Sequence, residues 1–202
     1  MKYSDIDQRK KAFIFELDNV LYPEKDYLYQ VYYLFASMLE YTELFDAQAM
    51  IKAMTTAYET DGADAVFDAL VSKFKIDEKY RPNIDQMMLN SRLPLKLLLY
   101  QNMLMLLQDI VVDRKKIFIV TNGNPQQQLN KIRHTEWHGL ENYLICYFAD
   151  ETAPKPEPDV IHNLLQEHNL QRRDILMIQN SDIDVLCAEA CGIDQLDVAN
   201  FL

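Results

Sequence analysis

The stretch Ala12-Phe13-Ile14-Phe15-Glu16-Leu17-Asp18-Asn19 holds four apolar residues that give way abruptly to acids and an amide. A basic lead-in, Gln8-Arg9-Lys10-Lys11, precedes it. The arrangement returns at Arg114-Lys115-Lys116, Ile117-Phe118-Ile119-Val120 and Thr121-Asn122-Gly123-Asn124, and again at Arg172-Arg173-Asp174, Ile175-Leu176-Met177-Ile178 and Gln179-Asn180-Ser181-Asp182-Ile183-Asp184. Unbroken apolar runs of this length suit strands buried on both faces, as in a parallel sheet covered by helices. Leu144-Ile145-Cys146-Tyr147-Phe148, leading into Asp150-Glu151-Thr152-Ala153-Pro154-Lys155-Pro156, reads as a fourth strand. Gln195-Leu196-Asp197-Val198-Ala199 reads as an edge strand. Open parallel sheets gather ligands beyond the carboxyl ends of their strands, which is where these runs turn polar.

From Tyr22 to Arg92 the pattern is helical only. Tyr27, Val31, Leu34 and Met38 form one stripe, Met50, Ile51, Met54 and Tyr58 a second, and Val66, Phe67, Leu70, Val71 and Phe74 a third. A fourth helix is expected around Ile84 to Leu89. The expected organisation is an α/β core over 1–21 and 93–202, with a doubly wound, Rossmann-like parallel sheet, and a helical insertion over 22–92.

Composition bounds the partners. Of 202 residues, 49% are apolar and 25% charged, which fits a folded globular chain. With 20 basic against 31 acidic side chains the net charge is −11, so no broad field attracts a nucleic-acid backbone. The longest apolar stretch, Leu95 to Leu107, is interrupted by Lys96, Gln101 and Asn102 and falls short of the roughly 20 residues that cross a bilayer. No membrane span is expected. The first residues lack the apolar run of a secretory signal, and Cys146, Cys187 and Cys191 lack metal-ligand spacing, so a reducing cytoplasm without a disulfide frame is expected. Cys187 and Cys191, four apart, belong on one helix face. His134 and His138 around Trp137 read as surface or packing residues, and His162 and His168 are given no role. Four glycines and the absence of a Gly-rich phosphate loop or dinucleotide fingerprint argue against nucleotide binding.

Several side chains at the polar strand ends could carry chemistry. Glu16 and Asp18 point to one side if the strand stays extended, and their repulsion asks for a cation or a proton. Thr121 offers a hydroxyl, and the turn at Asn122-Gly123-Asn124 offers backbone amides for an anionic oxygen. Lys155, between two prolines, is a positive charge on a stiffened loop. Asp184 supplies a further acid.

In this order the residues resemble the haloacid dehalogenase superfamily, in its phosphatase-like branch with a helical cap inserted after the first strand. Phe13 to Tyr22 is similar to the first motif, Ile119-Val120-Thr121-Asn122-Gly123 to the second, Lys155-Pro156-Glu157-Pro158 to the third, and Ile178 through Asp184, with Ala190-Cys191-Gly192-Ile193, to the fourth. The resemblance implies phosphoryl transfer from a small phosphorylated molecule through an acyl-phosphate. The first acid attacks phosphorus, and Asp18 protonates the leaving oxygen and later activates water. It implies that Thr121, Asn122, Gly123 and Lys155 hold the phosphate, and that Mg2+ is bound by the first acid at Glu16, the backbone carbonyl of Asp18 and the position of Asn180, with Asp184 beside them. Asp18 fits the phosphatase branch, since dehalogenases lack that second acid. Which protein partner, if any, the chain has is left open by the sequence.

Two positions depart from the pattern. Glu16 stands where the family has its nucleophilic aspartate, and Asn180 where it has the first acid of the last motif. An extra methylene advances the carboxylate unless the backbone retreats, and a misplacement of about 1 Å can cost on the order of 10²-fold in rate. Asn180 keeps an oxygen but drops a charge, weakening attraction for a hard cation. Gln179 replaces the usual glycine before it. Two outcomes are open: a longer Glu16 reaches a metal displaced toward Asp184, with Asp182 as substitute ligand, or catalysis is lost while phosphate or metal binding survives. The expected reading is a phosphatase-type hydrolase with impaired or absent turnover; the alternative is a non-catalytic binding or regulatory protein that uses the cleft for a phosphorylated metabolite, or its helical module for a protein.

Overall fold

The computed structural model describes residues 1–202 and divides them into two compact units, Met1–Glu24 with Leu97–Leu202, and Lys25–Lys96. In the first unit, strands β1 (Ala12–Phe15), β3 (Lys116–Thr121), β5 (Leu144–Phe148), β6 (Ile175–Gln179) and β7 (Asp194–Asp197) form one sheet in the order β5-β3-β1-β6-β7. Every pairing is parallel. Strand β1 is central: Phe15 pairs with Ile119 on one side and Ile178 on the other. The chain runs outward from β1 to β3 and β5, then crosses to β6 and β7, so the winding reverses at β1, where ligand clefts open in such sheets. This is the doubly wound α/β architecture that the apolar runs predict. A further two-residue pair, β2 (Leu97–Leu98) with β4 (Thr135–Glu136), carries no pattern long enough to read from sequence.

Both faces of the central strands are buried. Ile14, Phe118, Val120 and Met177 pack with Val160, Ile161 and Leu164 of α7 (Asp159–Glu167) and with Cys187, Ala188 and Cys191 of α8 (Asp182–Cys191). The two cysteines thus share a buried helix face, and all three thiols are free. On the opposite face Phe13 meets Tyr3 at 6.1 Å, and α5 (Gln101–Val112), with Met103, Leu106, Leu107 and Ile110 buried, packs on β3. Most of the stretch Leu95 to Leu107 therefore belongs to an ordinary core-facing helix. No helix is long and apolar enough to cross a membrane.

Local signals fix the helix starts that frame the site. Asn124 caps α6 (Pro125–His134) by accepting from the amides of Gln126 and Gln127, with Pro125 in the first turn. Ser181 caps α8 by accepting from the Asp184 amide, while its hydroxyl donates to Asp184 Oδ2 at 2.6 Å. Helix α8 stops at Gly192, whose φ of 65° suits the left-handed terminus. His134 ends α6 and His138 lies beyond it, so the two do not share a helix face. Trp137 Nε1 instead donates to the Ile132 carbonyl at 2.8 Å.

The second unit holds most of α1 (Glu24–Glu43), with α2 (Ala47–Asp61), α3 (Val66–Phe74) and α4 (Arg81–Asn90). The sequence pattern places the helical insertion at 22–92; the compact unit runs from Lys25 to Lys96. Its buried faces differ from the expected stripes. On α1, Leu28, Tyr32, Phe35, Ala36 and Leu39 are buried beside Tyr27 and Val31, whereas Leu34 and Met38 are half-exposed. Apolar residues ring this helix, so its periodicity fits more than one face. On α2, Ala47, Ala53 and Ala57 join Met50 and Met54 inside, while the larger Ile51 and Tyr58 sit at the margin. Alanines at close helix contacts explain that shift. Phe35 and Phe67 meet at 6.3 Å, and the Arg81 guanidinium lies 4.4 Å from the Phe67 ring.

Candidate functional site

Strand β1 ends at Phe15, and a tight loop follows. The Asn19 amide donates to the Tyr22 carbonyl at 2.9 Å, and Asn19 adopts a φ of 59°, one of the few non-glycine residues to do so. This loop turns Glu16 and Asp18 into a cleft of about 490 Å³ beyond the carboxyl ends of β1, β3 and β6. Asn122, Gly123, Lys155, Asn180 and Asp184 also line it.

Glu16 is held on both oxygens. Its Oε1 accepts from the Thr121 hydroxyl at 2.6 Å and from the Leu17 amide at 3.0 Å, and its Oε2 pairs with the Lys155 ammonium. Lys155 Nζ also reaches Asp184 Oδ1 at 2.5 Å and donates to the Val120 carbonyl at 3.0 Å. This lysine is 3% exposed. Burial pulls its ammonium below the ordinary range, and the charge of Asp184 opposes that shift. Thr121 and Lys155, the groups expected to hold phosphate oxygens, are thus both directed at the Glu16 carboxylate.

Asn122 and Gly123 reach the cleft in another way. The Asn122 side chain accepts from the Lys155 amide at 2.9 Å and donates to the Lys155 carbonyl at 2.8 Å, clamping the two loops together. The Gly123 amide donates to Asp150 Oδ2 at 3.1 Å. Asn180 is exposed at the rim. Gln179, in the place of the usual glycine, is buried and turned sideways, donating to Gln195 Oε1 at 2.8 Å and accepting from the Ser181 amide at 2.9 Å. Asp182 is exposed on the first turn of α8 and does not line the cleft.

One wall escapes the sequence patterns. From α6, Lys131 Nζ lies 2.5 Å from Asp18 Oδ2 and 4.0 Å from Glu24 Oε1, with its side chain 1% exposed. Gln128, a turn earlier, donates to the Asn122 carbonyl at 2.8 Å and lies 3.4 Å from Asp18 Oδ2. Its Oε1 is buried without a hydrogen-bond donor. Tyr22 donates to Asp18 Oδ1 at 2.8 Å. Burial, reinforced by the charge of Asp18, raises the Glu24 carboxyl above its ordinary range, with Lys131 and Asn19 opposing. The spacing of Gln128 and Lys131 places them on one helix face, but polar residues there read as solvent-facing.

A hard divalent cation does not fit these residues as arranged. Glu16 and Asp184, the two carboxylates of the expected set, share the Lys155 ammonium, the Asp18 position offers only a backbone carbonyl, and the remaining position is the neutral amide of Asn180. No three His, Cys, Asp or Glu side chains are grouped to hold a metal ion.

Residues 13–198 match the family model of haloacid dehalogenase-like hydrolases. The chain belongs to that family. A phosphoglycolate phosphatase of Photobacterium profundum is 36% identical over 74 residues, which are 36% of this chain and 31% of that protein, so the match spans about a third of the relative's length. Among solved structures, a hydrolase from Streptococcus pneumoniae TIGR4 aligns with a TM-score of 0.56 and 19% identity, covering 96% of each chain. A family hydrolase from Deinococcus radiodurans R1, solved with bound phosphate and sodium, aligns with a TM-score of 0.59 and 16% identity, covering 95% of this chain and 81% of that one. At these identities the structural likeness concerns the fold.

Proposed function

We propose that this chain is a haloacid dehalogenase-like hydrolase of phosphatase type, acting on a small phosphomonoester in the cytoplasm, with turnover impaired by Glu16 and Asn180. The observation that carries this reading is the closed set of contacts on Glu16. The Thr121 hydroxyl, the Leu17 amide and the Lys155 ammonium all engage its carboxylate. An incoming phosphate competes with Glu16 for the same donors.

In the reaction, a Glu16 oxygen attacks phosphorus and the bond to the leaving oxygen breaks. Asp18, which rests against the Lys131 ammonium and must first take up a proton from solvent, gives that proton to the oxygen. Water then attacks the glutamyl phosphate, Asp18 takes the proton back, and phosphate and free Glu16 are released. Thr121 and Lys155 neutralise the phosphate oxygens once Glu16 turns from them to phosphorus. Asn122 keeps Lys155 in place. The cost lies in the first step, because Glu16 must give up its contacts with Thr121, Leu17 and Lys155 before it can align, and in-line attack tolerates little misplacement.

A second reading, a binding or regulatory protein without turnover, is favoured by the same contacts, since a carboxylate so held is a poor nucleophile. Steady-state hydrolysis of p-nitrophenyl phosphate and a panel of small phosphomonoesters, beside equilibrium binding of inorganic phosphate, separates the two. Slow but saturable release of phosphate supports the first. Binding without release supports the second. A rate near ~10 s⁻¹, ordinary for an enzyme, would overturn the claim of impairment.

A further inference from the structure

The cleft is lined by two buried ammonium groups, each paired with its own acids. Lys155, from the loop after β5, bridges Glu16 and Asp184. Lys131, from α6, sits on Asp18 and near Glu24. No motif of the sequence assigns Lys131 a role, yet it is as deeply buried as Lys155. Burying an ammonium costs several kcal/mol unless charge and hydrogen bonds compensate, so a lysine kept at the wall of an open cleft has a definite electrostatic consequence there. A compact ammonium also supplies positive charge to an oxyanion without needing a coordination shell of acids.

We infer that the cleft binds its oxyanion without a divalent cation, with Lys131 as the second positive charge beside Lys155. Resting on the phosphate reading above, this adds a binding residue and a cofactor independence that the family resemblance does not supply. The donor set agrees with it: Glu16 and Asp184, the carboxylates that would hold a cation, are already paired with Lys155, and Asn180 adds no charge. Gln128 agrees too. Its Nε2 faces the Asn122 carbonyl and Asp18, leaving Oε1 as a buried acceptor without a donor. The hydroxyl of a monoprotonated phosphate is a donor of the kind it lacks.

If Lys131 contributes charge to the ligand, removing the negative partner that faces it strengthens binding. If Lys131 only props up Asp18, any gain persists without Lys131. Isothermal titration of the full chain with inorganic phosphate, in excess EDTA and in excess MgCl2, gives the first arm. The dissociation constants are expected to agree within about threefold, since a contributing divalent cation would shift them further. In the second arm, Asp18→Asn is expected to tighten phosphate about tenfold, the order of a single charge interaction in a partly buried site. Lys131→Gln in the Asp18→Asn background is expected to abolish that gain while keeping an amide pair in place of the ion pair. Lys131→Arg, which keeps the charge, is expected to bind within about threefold of wild type, as a check that does not depend on the neutral variants folding. Binding that requires magnesium, or equal binding by Asp18→Asn with and without Lys131, overturns the inference and leaves the phosphate reading intact. Phosphate bound by none of these proteins, with or without magnesium, overturns both.

Discussion

The Thr121 hydroxyl donates to Glu16 Oε1 across 2.6 Å, linking the ends of neighbouring strands β3 and β1. The first acid of the cleft is therefore tied to the group that the family resemblance assigns to phosphate. Shortening the acid by one methylene should loosen that tie.

Glu16→Asp and Asn180→Asp should each raise hydrolysis of p-nitrophenyl phosphate less than about tenfold, and together by more than about 10²-fold in excess MgCl2. Nucleophile position and site charge act as one unit, so the effects multiply beyond independence. Steady-state kinetics of the four proteins checks this. Additive small gains would mean that Lys131 and Lys155, rather than the two altered positions, limit the chemistry.

Asn122→Ala removes both hydrogen bonds to the Lys155 backbone. A loss of about 2–3 kcal/mol in unfolding free energy is expected, at roughly 1–1.5 kcal/mol per bond, with weaker phosphate binding because the Lys155 loop slackens. Urea denaturation and phosphate titration together test it. Weaker binding without a stability loss would point instead to a direct ligand contact.

Gly123→Ala places a side chain where φ is 98° and where a Cβ would stand 2.9 Å from Gln128 Nε2. The backbone cost alone is about 1–2 kcal/mol, and Gln128 must move away from the Asn122 carbonyl. A lowered denaturation midpoint is expected.

Glu24 gives the fold a pH dependence. Its carboxyl lies above the usual 4.5 in the folded chain, chiefly through burial and then through Asp18, with Lys131 and Asn19 opposing. A raised acid binds its proton more tightly when folded, so its contribution is most favourable below the ordinary value and declines as pH rises through the folded one. Glu24→Gln should remove this dependence. Subtracting its urea-unfolding free energies from those of wild type between about pH 4 and about pH 7 should give a difference that falls with pH. A difference that rises with pH would show that pairing with Lys131 outweighs burial.

What can be read from the sequence follows from repetition. The basic lead-in, apolar run and polar stop recur with so little else that can be built from them that strands β1, β3 and β6 are legible. Thr121, Lys155 and Asp184 are legible because each sits where such a run or its loop ends. The packing faces of α1 and α2 are not, since aromatic and aliphatic residues ring α1 and small alanines do the close packing on α2. Lys131 is hidden for a different reason. A lysine on an exposed helix and one buried against an acid look alike in sequence, and Asp18 lies 113 positions away. The second role of Asn122, which clamps a loop 33 positions downstream, is hidden in the same way.

Strand β1 is made before both strands that flank it, which come from beyond residue 115. During synthesis its two backbone edges stay unpaired while about a hundred further residues are added, at roughly 5–20 residues per second. For those seconds the Ala12-Phe13-Ile14-Phe15 run is an apolar segment with two open edges, the kind that adheres to other chains. Arg9, Lys10 and Lys11 put three positive charges immediately before it, the place where charged residues flank aggregation-prone strands.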